Sequence, residues 1–324
     1  MNAFKPIHKV LIAVLAAVGT TMAFAAGAAA QYPERTIRIV VPWKAGGGTD
    51  SIARGFQTAF EEAAGVSVVI DNVSGARGVT GSLKVVNAKP DGYTLLLNGS
   101  TDITAAMTFK DLPFTLDDLS YVGAFYTSPT YVISHKDRGI ETLEEFLELA
   151  KENPGEVTLG TAGSTQLLMA HAIKGITDLD FRIVPFSGGA DLKKAMIGND
   201  VHAGIFHAPV MLSEVKGDVI NVIGTGKPLD KLTYEPARDT ETLRDNDIPL
   251  DFAITRGLYA PKGTPDDVIE KLRAITKEAA MSDKFAKWGE GFGFAPVWVP
   301  GDEFRDQLKA DLKNFKEIKA EYID

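Results

Sequence analysis

The chain has no cysteine among its 324 residues. That excludes disulfides, thiol catalysis and cysteine-ligated metal. Histidine is scarce as well, with five in the whole chain. His8 lies near the N-terminus, and the other four form neither H-x-x-x-H nor H-E-x-x-H, so no metal site is expected. Nucleotide signatures are missing: there is no G-x-x-x-x-G-K-[ST], and Gly46-Gly47-Gly48 lacks the last glycine of G-x-G-x-x-G. No cofactor is therefore expected. Ser164 sits in Ala-Gly-Ser-Thr-Gln rather than G-x-S-x-G, so the nucleophile elbow of α/β hydrolases is absent. Basic residues are outnumbered, 34 Lys and Arg against 43 Asp and Glu, for a formal charge of −9. Such a surface disfavours nucleic acid and anionic lipid. It does not oppose a small-anion pocket, whose local field is set by nearby groups.

What is present begins with the N-terminus. Lys5 and Lys9 precede the apolar run Val10–Val18, and a small-residue stretch ends at Ala28-Ala29-Ala30. That order is a secretory signal peptide over residues 1–30, with Gln31 as the first mature residue. The apolar run is short for a bilayer span of about 20 residues. No second long apolar run follows, so the mature protein is expected to be soluble and exported to the periplasm.

The first unit reads as strand, loop, helix, strand. Ile37–Val41 is β-branched, Pro42–Gly48 is Gly-rich, and Ile52, Ala53, Phe56, Ala59, Phe60 and Ala63 recur at helical spacing up to Gly65. A βαβ unit implies parallel pairing. Similar units follow: a helix over Gly78–Ala88, a strand over Tyr93–Leu97, a helix over Glu141–Glu152 capped by Thr142, and strands near Val157–Leu159, Phe181–Val184, Val201–Phe206 and Val219–Ile223. Thr264-Pro265-Asp266-Asp267 opens a helix, and Pro300–Tyr322 reads as a final amphipathic one. Two βα arrays are thus joined by two long extended segments, 121–134 and 253–260.

Three Gly, Ser and Thr-rich loops, at 42–50, 160–165 and 185–190, lie between a strand and a helix. In open α/β sheets ligands bind at the carboxyl ends of strands, where such loops stand. Glycine lets backbone approach a ligand, and helix N-termini present unsatisfied N–H groups to an anion. Thr49, Ser164, Thr165 and Ser187 add hydroxyls. His207, after the 201–206 strand, and the cations Lys44, Arg77 and Arg256 stand near these loops or the crossing segments; an Arg there can take a carboxylate in bidentate fashion.

Several ordered stretches resemble the substrate-binding receptors of tripartite tricarboxylate transporters, also called Bug-type receptors. They are Tyr32–Arg38, Val41–Asp50, Ala88–Leu95, Gly160–Ser164, Val184–Gly189 and Ala260–Pro265. The resemblance implies an α/β, type II periplasmic binding-protein fold, with two lobes of parallel-rich sheet joined by a two-strand hinge. It places lobe 1 at 31–124 and 226–324, and lobe 2 at 125–225. It implies a monomeric receptor, not an enzyme, that closes on a di- or tricarboxylate or an aromatic carboxylate and delivers it to membrane permease subunits. The first-lobe site would be Trp43, Ala45, Gly46, Gly47, Gly48, Thr49 and Asp50, with Asn98 and Ser100. The second-lobe site would be Thr161, Ala162, Ser164, Thr165, Gln166, Phe186, Ser187 and Gly188, with His207. Three departures stand out. Relatives often carry Phe at Trp43, an acid or amide pair at Phe206-His207, and a Trp-Phe pair at Thr255-Arg256. The missing acid counts against an amino-acid ligand, and Arg256 is a candidate for a second carboxylate. A receptor for a sensor kinase and a periplasmic α/β hydrolase are the alternative readings.

Overall fold

The computed structural model describes residues 32–207, 211–227, 237 and 239–323. The signal peptide expected over residues 1–30 lies outside them, as do 31, 208–210, 228–236, 238 and 324. In chain order the elements are β1 (Ile37–Val41), α1 (Gly48–Ala64), β2 (Val68–Asn72), α2 (Val79–Val86), β3 (Thr94–Gly99), α3 (Ser100–Phe109), β4 (Leu119–Pro129) and β5 (Tyr131–His135). Then come α4 (Leu143–Glu152), β6 (Thr158–Thr161), α5 (Ser164–Thr177), β7 (Arg182–Pro185), α6 (Gly189–Ile197), β8 (Ala203–Phe206), α7 (Leu212–Lys216) and β9 (Ile220–Thr225). The chain finishes with β10 (Ala253–Pro261), α8 (Asp266–Ala280), α9 (Asp283–Phe292), β11 (Val299–Pro300) and α10 (Gly301–Tyr322).

Local chemistry explains the well-read elements. In α1, Ile52, Ala53, Phe56, Ala59 and Phe60 are buried on one face, and Gly65 ends the helix in the left-handed region at φ 68°. Thr142 and Glu145 form a reciprocal capping box at the start of α4. Three helices escaped the sequence pattern, α3, α7 and α9, and for α3 the reason is burial. Every residue of α3 from Ser100 to Ala106 is buried, so no polar face marks a 3.6-residue period.

The strands form two sheets, ordered β11-β4-β10-β3-β1-β2 and β7-β6-β8-β5-β9. In the first, β2, β1 and β3 are parallel, and β10 lies antiparallel between β3 and β4. In the second, β7, β6 and β8 are parallel, and β5 lies antiparallel between β8 and β9. Apart from β11 the two layouts match. In each sheet the antiparallel member is the strand that arrives from the other sheet. This is the two-lobed, parallel-rich α/β architecture.

The two crossings are pinned to each other. Thr130 N–H donates to Phe252 O at 3.0 Å, Gly226 N–H to Thr130 O at 2.6 Å, and Phe252 N–H to Gly226 O at 3.0 Å. A Cβ at Gly226 would stand 2.2 Å from Phe252 O, so only glycine fits this crossing. Behind the crossings α10 spans both lobes. Its Phe304 packs 5.1 Å from the Tyr259 ring in the first core, and its Phe315 packs 5.9 Å from Phe252 in the second. Among the described residues no helix is long and apolar enough to cross a membrane.

Candidate ligand-binding site

The loop between β1 and α1 is braced by a carboxylate from the first turn of α1. Asp50 accepts from Gly46 N–H at 2.9 Å, Arg54 Nε at 3.0 Å and Asn72 Nδ2 at 3.0 Å, while Asn72 also donates to Trp43 O. Burial alone would raise the Asp50 carboxyl, but the bonds from Arg54, Gly46 and Asn72 outweigh it and hold it below its ordinary value. Asp50 therefore shapes the loop. The indole Nε1 of Trp43 donates to Asn98 Oδ1 at 3.0 Å, so Asn98 orients the Trp43 ring. Ser100 Oγ accepts from Thr255 N–H at 3.4 Å and ties α3 to β10.

A cavity of about 50 Å³ lies between the lobes. The first lobe lines it with Trp43, Lys44, Gly47, Gly48, Thr49, Asp102 and Arg256. The second contributes Ala162, Gln166, Gly189, Phe206 and His207. Arg256 is 3% exposed. Its Nε donates to Thr49 Oγ1 at 3.3 Å, its Nη1 donates to His207 O at 3.4 Å, and its guanidinium sits 5.2 Å over the Tyr126 ring. A guanidinium has more N–H donors than these two bonds use. The N-terminal residues Gly48 and Thr49 of α1 and Gly189 of α6 line the same cavity, bringing the positive ends of two helices to it.

Asp102 is the residue that the loop motifs did not reveal. It sits in the first turn of α3 and is 4% exposed. Burial raises its carboxyl to about 6, with Arg256 and the Thr165 hydroxyl opposing. Thr165 Oγ1 donates to Asp102 Oδ1 at 3.5 Å across the cleft. His207 Nδ1 lies 3.2 Å from Thr130 Oγ1. Its Nε2 is buried without a partner, 4.0 Å from Asp102 Oδ1. Burial, then Arg256, holds this imidazole well below its ordinary value, hence neutral. Gln166 Oε1 is a second buried atom without a partner.

The lobes also meet outside the cavity. Lys44 Nζ donates to Asp191 Oδ2 at 2.8 Å and Ser187 Oγ at 2.9 Å. These bonds, the Lys44 one first, lower the Asp191 carboxyl. Phe186 and Ser187 line an outer recess of about 430 Å³ together with Trp43, Lys44 and Arg77. Ser164 and Arg77 line another of about 440 Å³. Of the residues named from sequence, Trp43, Gly47, Gly48, Thr49, Ala162, Gln166, His207 and Arg256 meet at the inner cavity. Asp50, Asn98, Ser100 and Thr165 brace it through the bonds above. Ala45, Gly46, Thr161 and Gly188 belong to the surrounding loops and strand ends, and do not line the three recesses. Among the described residues no cluster of three His, Asp or Glu could hold a metal.

A profile described as tripartite tricarboxylate transporter family receptor matches residues 52–321. Protein BugT of Bordetella pertussis is 27% identical over 319 residues, covering 96% of this chain and 97% of that protein. A solved structure described as a periplasmic transporter is 28% identical with a TM-score of 0.82, covering 89% of this chain and 97% of that one. MatC from Rhodopseudomonas palustris, solved with bound malate, is 21% identical with a TM-score of 0.78, covering 89% and 99%, and shows the shared fold. The match over most of the chain, and the two-lobed fold found in these relatives, mean that the chain belongs to the tripartite tricarboxylate transporter receptor family.

Proposed function

We propose that the mature protein is a periplasmic receptor that captures a small organic carboxylate between its lobes and delivers it to transporter subunits in the membrane. The observation that carries this reading is Arg256: a cation 3% exposed, held between Thr49 of one lobe and the His207 carbonyl of the other, in the wall of the interlobe cavity. A buried guanidinium with spare N–H groups calls for an anion with planar oxygens. The N-termini of α1 and α6 add backbone donors beside it. MatC, a protein of the same fold, was solved with malate, which has two carboxylates.

The mechanism is a population shift. The sheet β11-β4-β10-β3-β1-β2 with its helices forms one body and the sheet β7-β6-β8-β5-β9 the other, and they turn about the crossings at Thr130 and Gly226. The ligand meets both walls only when the cleft is shut, so it favours the closed state by its differential contacts. The reading is of binding without turnover, by a monomer, with no cofactor. Ser164 and His171 stand seven residues apart on α5, about 10 Å along the helix axis, which keeps His171 out of hydrogen-bond reach of Ser164.

Mass spectrometry of the small molecule released from freshly purified protein tests this, alongside solution scattering. A carboxylate is expected, and its readdition should contract the scattering radius. A released ligand with no carboxylate, or a ligand that leaves the radius unchanged, refutes the reading.

A further inference from the structure

The inner cavity holds more hydrogen-bond acceptors than a carboxylate ligand alone can use. Asp102 Oδ1 receives only the long 3.5 Å bond from Thr165. Gln166 Oε1 and His207 Nε2 receive none, although both residues are more than nine-tenths buried. Buried acceptors without donors are costly, and such groups in a ligand cavity ask what donor they await.

The three atoms converge. A Cβ placed at Gly163 would stand 2.5 Å from Gln166 Oε1 and 3.3 Å from Asp102 Oδ1, so the two oxygens are neighbours on the same side of Gly163. His207 Nε2 is 4.0 Å from the same Asp102 oxygen. That gap is too long for a direct bond, but one nitrogen at the usual N–H···O length of about 2.9 Å reaches both sides. In the tautomer whose Nδ1–H donates to Thr130 Oγ1, Nε2 is an acceptor. Three acceptors match the three N–H groups of an ammonium.

Charge points the same way. Arg256, from β10, is the charge that acts on Asp102, and Lys44, from the loop before α1, lines the same cavity; His207 is neutral, Tyr259 is held protonated by burial, and Asp311 of α10, raised to about 6 by burial, bonds Ser100 at the start of α3. Lys44 is already paired with Asp191. The cavity wall therefore carries one cation, Arg256, and one acid, Asp102. A carboxylate with an adjacent ammonium leaves that balance undisturbed, whereas a carboxylate in the ammonium's place would be buried beside Asp102.

We propose that the cavity selects an amino-carboxylate, with Arg256 taking the carboxylate and Asp102, Gln166 and His207 taking the adjacent ammonium. This deepens the carboxylate reading above and rests on it. The acid missing from Phe206-His207 is supplied by the opposite lobe, from the first turn of α3.

The test uses matched sets on one carbon skeleton, read by calorimetry on the mature protein: aspartate with succinate and malate, glutamate with glutarate, phenylalanine with 3-phenylpropanoate. In at least one set the amino compound should bind about tenfold tighter than its partners lacking nitrogen. Its affinity should fall as pH drops from about 7.5 to about 5, because protonation of Asp102 removes the ion pair while the ligand's ammonium persists. Asp102→Asn should erase both the preference and the pH response. Should that variant fail to fold, the partners lacking nitrogen are the control: Asp311, which also titrates near 6, acts on both members of a set, so only a loss confined to the amino compound reports Asp102. Partners lacking nitrogen that bind as tightly in every set, or an affinity that rises on acidification, overturn the amino-carboxylate proposal and leave the carboxylate reading standing. No binding by any compound of either kind overturns both.

Discussion

The two lobes lay out their strands alike, β2-β1-β3-β10-β4 in one and β7-β6-β8-β5-β9 in the other, yet they furnish the cleft differently. Asp102 follows β3 and His207 follows β8, so they occupy corresponding places and face each other at 4.0 Å. The first lobe gives the inner cavity all its charge, Arg256, Asp102 and the rim residue Lys44. The second gives it an amide, a neutral imidazole and apolar cover. The physical lesson concerns closure. Opposite charges in one rigid body keep their mutual attraction whether the cleft is open or shut. Closing then adds neutral polar side chains and the N-terminus of α6, and excludes water, which strengthens the charge contacts already in place. Selection by charge belongs to one wall, and sealing belongs to the other.

The largest effect should come from the charged wall. Arg256→Gln should weaken ligand binding by about 2–5 kcal/mol, the usual loss when one partner of a buried charge pair is truncated, as read by titration calorimetry. Asp102→Asn comes next and acts on the ligand-free protein. The folded carboxyl titrates near 6, above its ordinary 3.8, so its charged form destabilises the fold at pH values above about 6. The penalty fades as pH falls between those two values. The variant should therefore be more stable than wild type by about 3 kcal/mol near neutrality, and the gap should close by about pH 4 in denaturant titrations. A constant gap across that range would mean that Asp102 is not strained by burial.

The neutral wall should matter less. Gln166→Leu should cost about 2 kcal/mol of binding, the scale of one hydrogen bond from a neutral side chain to a charged group, without altering its salt dependence. A loss larger than that of Arg256→Gln would break the division between the walls. Lys44→Met removes an ion pair whose side chains are 48% and 32% exposed. It should cost at most about 1 kcal/mol and shift the ligand-free scattering radius slightly toward the open form.

Much of this was legible in the sequence, because short β-branched runs and Gly-rich loops carry local signals. The loop 42–50 and the crossing segments fall where the periodicity placed them, at the ends of β1 and along β4, β5 and β10. Arg256 was visible as a cation on a crossing strand. Asp102 was not, because α3 is buried on every side and its Ser and Thr residues mimic a loop. The available signal was an acid in the first turn after Ser100, a helix-start pattern. Asp50 illustrates the opposite difficulty: composition marks it as a loop residue beside a ligand site, but only geometry shows its oxygens turned onto Gly46, Arg54 and Asn72.

The most direct measurement is a thermal-shift series with a broad carboxylate panel on wild type and on Arg256→Gln in parallel. Capture between the walls requires at least one carboxylate to raise the wild-type melting temperature, with that shift lost in the variant. A panel that moves neither protein, or a shift that survives unchanged without the guanidinium, would contradict it.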